Sequence, residues 1–81
     1  MKLTEKNIAR VNKAIENATV TASMEYGMIM LANSVGIHEY DYLVSNDDKS
    51  CWMIDVDAMW EAALPALRFQ LQSASVVFRP V

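Results

Sequence analysis

The chain has one cysteine, one histidine, two glycines and two prolines in 81 residues, and it has no long apolar run. Each shortage removes a class of protein. A lone Cys51 cannot close an internal disulfide, so a cystine-stapled secreted scaffold is excluded. With glycine only at Gly27 and Gly36, no glycine-rich loop can wrap a phosphate, and nucleotide binding has no support. The longest unbroken apolar stretch, Tyr26 to Ala32 with Gly27 counted, falls far short of the ~20 residues that span a bilayer. The opening decapeptide MKLTEKNIAR holds no apolar run of signal-peptide length. A cytoplasmic protein with no membrane role is the expectation.

The scarcity of chain breakers, set against a hydrophobic fraction of 53%, argues for a folded chain. Its length gives one domain, residues 1–81. A domain of this size buries only ~60–65% of its unfolded surface, so a thin core and a partner or oligomer contact are expected.

Basic residues are scarcest in the middle. Residues 36–63 carry Glu39, Asp41, Asp47, Asp48, Asp55, Asp57 and Glu61 against Lys49 alone, a net charge of −6; residues 1–35 sum to +1 and residues 64–81 to +2. Phosphate backbones are held by clustered Lys and Arg, so direct nucleic-acid binding is not expected. The segment suits a basic protein surface instead.

What is present is periodic. Ile8, Val11, Ile15, Ala18, Ala22, Tyr26 and Ile29 recur at spacings of three and four, with Thr4 as N-cap candidate, and Met24, Met28, Leu31 and Val35 form a second stripe. One helix over residues 5–35 would be ~46 Å long, longer than such a domain is wide. A bend or break is therefore expected, at Asn17–Thr21 or at Gly27, with Gly36 closing the helical region. Beyond Gly36 the pattern alternates. EYDYLV and SCWMI read as two strands of a hairpin around a polar turn, Ser45 to Lys49, with Tyr42 facing Trp52 and Tyr40 facing Ile54.

A second helix is predicted from Val56 or Ala58, N-capped by Asp55 or Asp57, and kinked or split at Pro65. SVVFRP reads as a closing strand. The expected fold is α+β: an N-terminal helix or bent helix pair, a hairpin, a kinked helix and a C-terminal strand, with a three-stranded antiparallel sheet in order 2-1-3 covered by helices on one face.

Chemistry finds little purchase in these patterns. Asp47, Asp48, Asp55 and Asp57 are hard oxygen ligands, but the glycine and closing glutamate of a calcium loop are missing, so turn and capping roles are expected and no metal. Cys51 with His38 as base lacks an orienting third group, and Cys51 reads as a small apolar strand residue. His38 has no second histidine at ligand spacing and reads as a loop-surface residue. A helix-turn-helix in residues 5–35 would need TASMEYGMIMLANSV as its recognition helix, which holds no Lys or Arg. Neither an enzyme nor a cofactor is expected.

By elimination, the sequence reads as a binding protein. Glu39, Asp41, Asp47, Asp48, Asp57, Glu61 and the apolar Met53 are the candidate contact residues for a basic partner, which the protein would block. Compact acidic inhibitors are typical of phage and mobile-element anti-defence proteins, anti-CRISPR proteins among them, and of immunity proteins. Of the methionines weighed as a pliable binding surface, Met24 and Met28 are expected in the core, Met30 and Met53 in an exposed patch, and Met59 in either. The competing expectation is a homo-oligomeric structural or regulatory subunit, with the exposed patch as a homodimer contact.

Overall fold

A computed structural model describes the backbone of residues 1–77 and the side chains of residues 1–73. The protein is α+β. Helices α1 (Glu5–Glu16) and α2 (Ala22–Ser34) are followed by a short 3-10 helix (Glu39–Tyr42), strands β1 (Leu43–Ser45) and β2 (Trp52–Ile54), and helix α3 (Val56–Val77).

The predicted break falls at residues 17–21. Thr4 caps α1 by accepting the Asn7 N–H at 3.0 Å, and Thr21, a cap the stripes did not reveal, caps α2 by accepting the Met24 N–H at 3.2 Å. Both helices end in the same way. In α1 the N–H groups of Ala18 and Thr19 bond to Ile15 and Ala14 carbonyls; in α2 those of Gly36 and Ile37 bond to Asn33 and Ala32 carbonyls. This double closure needs a left-handed residue at its centre, which Gly36 provides at φ 81 and Ala18 provides at φ 54. Glycine suits that conformation and alanine does not. Ala18→Gly is therefore expected to stabilise the fold by about 1 kcal/mol, after allowing for the greater freedom glycine gives the unfolded chain, and to raise Tm by ~4–8 °C. A thermal melt monitored by circular dichroism checks this, and an unchanged or lowered Tm would contradict it.

Gly27 does not break α2. It is buried inside the helix, and a Cβ placed there would lie 2.9 Å from the Cβ of Met1, so its bare backbone is the seat of the Met1 side chain.

The break also resets the helical phase. Ile8, Val11 and Ala14 of α1 are buried, but the first stripe then fails: Ala18 and Ala22 are exposed and Tyr26 is 68% exposed. In α2 the second stripe takes over, with Met24, Met28, Leu31 and Ala32 buried. These join Met59, Trp60, Ala63 and Leu67 of α3 in one core. Met59 thus belongs to the interior, while Met30 is 53% and Met53 65% exposed.

Helix α3 begins where the sequence indicates. The Asp55 carboxylate accepts the Ala58 N–H at 3.1 Å, making Asp55 the N-cap, and Asp57 lies in the first turn. Pro65 sits inside one uninterrupted helix, not at the junction of two. Proline deprives the Glu61 carbonyl of its helical donor, but both residues are exposed, so water can satisfy it.

Three expectations are corrected. Glu39–Tyr42 is a 3-10 helix, not strand; the imidazole of His38 accepts the Tyr40 N–H at its start, and the turn lets Tyr42 pack half-buried against the core. The hairpin register follows: Leu43 pairs with Ile54, Val44 with Met53 and Ser45 with Trp52. That is an odd shift from the predicted pairing, which pairs Trp52 with Ser45 in place of Tyr42. Trp52 is 56% exposed and not inward-facing, because both faces of the hairpin lie outside the core, Met53 on the other face being 65% exposed.

The third correction concerns the sheet. Among the described residues it has two strands, and its helices pack on one another instead of covering it. Of the predicted closing strand, residues 75–77 are the last turn of α3 and residues 78–80 lie outside the described residues.

Candidate functional site

The start of α3 is fixed to the 3-10 helix by the Asp55 N–H, which bonds to the Tyr42 carbonyl at 2.7 Å. This places the first turns of α3 beside the hairpin. Asp57 and Glu61, one turn apart and both exposed, flank a hollow of about 190 Å³ whose apolar wall is Ile15, Trp60 and Leu64. Its polar edge is Asn12, which accepts the Trp60 Nε1–H at 2.9 Å and ties α1 to α3.

Asp57 also borders a second hollow, of about 290 Å³, between β1, β2 and α3. Val44, Met53, Ile54 and Val56 give it apolar walls, and Glu25 reaches it from the first turn of α2. The structure thus brings Met53, Asp57 and Glu61 onto one continuous surface through Asp57. Glu25, Asp55, Val44 and Ile54 join it, and none of these stood among the candidate contacts. Glu25 was hidden because it lies in a different helix and comes near only through the packing of α2 on α3.

Asp47 and Asp48 lie elsewhere, in the hairpin loop. That loop is held by its own polar side chains: Asn46 Oδ1 accepts the Cys51 N–H at 3.1 Å, and Asn46 Nδ2 donates to Ser50 Oγ at 2.8 Å. Asp48 accepts the Ser50 N–H at 3.0 Å, with Lys49 in left-handed conformation at φ 60 between them. Bonds from the Ser50 side chain and backbone hold the Asp48 carboxyl below its ordinary range. Because the folded value is the lower one, Asp48 favours the folded loop at neutral pH, and that contribution fades as pH falls through the acidic range.

Glu39 and Asp41 lie on the 3-10 helix; Glu39 is half-buried, Asp41 exposed, and neither lines the two hollows. Glu39 Oε1 stands 3.3 Å from His38 Nδ1. The same nitrogen accepts from Tyr40, so it can bond to Glu39 only in a state that gives up the Tyr40 bond. The His38 ring stacks on Tyr40 at 5.2 Å and is exposed, as its loop reading implied. Cys51 is exposed where the loop closes opposite Asn46, one residue before β2 and not within the strand expected for it.

Among the described residues the one side-chain ion contact is His38 with Glu39, and no Lys or Arg among them pairs with the acids of residues 36–63. No three His, Cys, Asp or Glu side chains there are placed to hold a metal ion. No helix among them is long and apolar enough to cross a membrane. No family model matches the chain, and neither does any curated protein or solved structure.

Proposed function

We propose that this protein is a small cytoplasmic binding protein that docks the acidic surface of its hairpin and α3 onto a basic surface of another protein and blocks it. The observation that carries this reading is the meeting of uncompensated charge with uncovered apolar area. Among the described residues Asp57 and Glu61 have no cationic partner, and beside Asp57 the apolar Val44 is 43% and Met53 65% exposed. Charge would steer the encounter, and burial of Met53 and Val44 would hold it. Small size and acidity fit an anti-defence protein of a phage or mobile element, such as an anti-CRISPR protein, or an immunity protein.

The test compares wild type with a D47K/D48K/D57K variant in affinity capture from host cells. Expected is a protein with a basic surface that wild type retains and the variant, with its helical core still folded, loses. Equal capture by both would overturn the reading.

A second reading is supported by α2, which is apolar nearly all round: opposite its buried stripe, Tyr26 and Met30 stand exposed one turn apart. It is a homodimer through this face. Sedimentation is then expected to give a dimer for wild type and a monomer for Met30→Glu, and a monomeric wild type at micromolar concentration rules it out.

A further inference from the structure

We propose that the hollow between the hairpin and α3 seats one long cationic side chain, arginine or lysine, of the partner protein. The inference rests on the docking reading and gives that surface its anchor point.

At about 290 Å³ the hollow lies at the lower edge of the ~300–1,000 Å³ usual for small-molecule sites, and it is large enough for a side chain. Its two chemistries match the two parts of such a chain. Val44, Met53, Ile54 and Val56 offer apolar surface to the methylene stem, while Glu25 and Asp57 come from two different helices to meet the charged head. Asp55 already spends one oxygen on the Ala58 N–H, which leaves Glu25 and Asp57 as the carboxylates of the hollow without a partner among the described residues. No Lys or Arg among the described residues lines the hollow. The adjoining hollow under Asp57 and Glu61 is smaller, about 190 Å³, and Asn12 at its edge is engaged with Trp60, so it offers a weaker seat.

The methionines supply the readout. With methyl-labelled methionine, a capped tri-arginine peptide is expected to shift the Met53 methyl resonance in a saturable way, while exposed Met30, which lines neither hollow, stays in place. A capped tri-citrulline peptide, equal in shape and uncharged, is expected to leave Met53 unmoved. Asp57→Asn and Glu25→Gln are each expected to weaken tri-arginine binding five- to tenfold with the folded spectrum retained, whereas Glu16→Gln, on α1 and away from the hollow, should match wild type.

Equal shifts with tri-citrulline, parallel movement of Met30, or wild-type affinity in both Asp57→Asn and Glu25→Gln would overturn the proposal. Partner capture separates it from the reading beneath it. Capture lost in D47K/D48K but kept in D57N/E25Q leaves the docking reading standing and removes the hollow. Capture that survives D47K/D48K/D57K, while wild type binds tri-arginine at Met53 and Asp57→Asn weakens that binding, removes the docking reading and leaves the hollow as a seat for a cationic side chain.

Discussion

Trp60→Ala is expected to cost about 3–5 kcal/mol, a large share of the ~4–12 kcal/mol typical of a chain this long. Trp60 is 1% exposed at the centre of the three-helix core. Its removal leaves a void that a small core has few ways to refill. It also deletes the bond from Nε1 to Asn12 that ties α1 to α3.

Trp52→Ala makes the contrast, since Trp52 is 56% exposed on a three-residue strand and its loss should cost well under ~1 kcal/mol. Urea titrations followed by circular dichroism would show Trp60→Ala mostly unfolded at low denaturant and Trp52→Ala close to wild type. Similar midpoints for the two variants would contradict the assignment of the core. Asn12→Ala should fall between them, at about 1–3 kcal/mol, because it leaves the buried indole N–H unpaired.

In the D47K/D48K/D57K variant, partner affinity is expected to fall about 100-fold or more, equivalent to ~2.7 kcal/mol of binding free energy. Each reversal replaces an attraction by a repulsion across the interface, and like charges set face to face cost several kcal/mol when water is excluded. The helical core should stay folded: the bond from the Ser50 N–H that lysine at position 48 removes lies in the exposed hairpin loop, outside the core. Lysine at position 57 gives up a favourable charge in the first turn of α3, worth ~0.3–1 kcal/mol, but it also ends the repulsion between Asp57 and Glu61, worth ~0.2–0.5 kcal/mol. Salt provides an independent check: the association rate of wild type should fall steeply as the screening length shrinks from ~30 Å at 0.01 M to ~3 Å at 1 M, and that of the variant should not.

Much of the helical framework was readable along the chain because its signals act over three or four residues. Thr4, Asp55 and Gly36 close their helix ends through bonds to near neighbours; the pattern pointed to Thr4 and Gly36 and narrowed the third cap to Asp55 or Asp57. The candidate site was readable in part. Asp57, Glu61 and Met53 were singled out by charge and composition, and they share one surface; Glu39, Asp41, Asp47 and Asp48 had the same credentials and line neither hollow. A charge count has no information about direction. Glu25 carried no signal at all, since its importance comes from α2 bringing it beside a hairpin almost twenty residues further on.

The sequence by itself determined a helical region over residues 5–35 bent or broken at 17–21 or at Gly27, a further helix from Val56 or Ala58, a hairpin between them and an acidic middle, because periodicity, capping and charge are local properties; the structure placed the break at 17–21. Only the tertiary structure decided which apolar residues are interior. Trp52 and Trp60 stand eight positions apart, both beside methionine, and one is solvent-facing while the other is the heart of the core. The reason is that alternation predicts two faces for a strand but not whether anything covers them. Here the three helices bury their stripes in one another, the 3-10 turn at Tyr42 shifts the hairpin by an odd register, and the strands are left outside the core with their apolar side chains open to a partner.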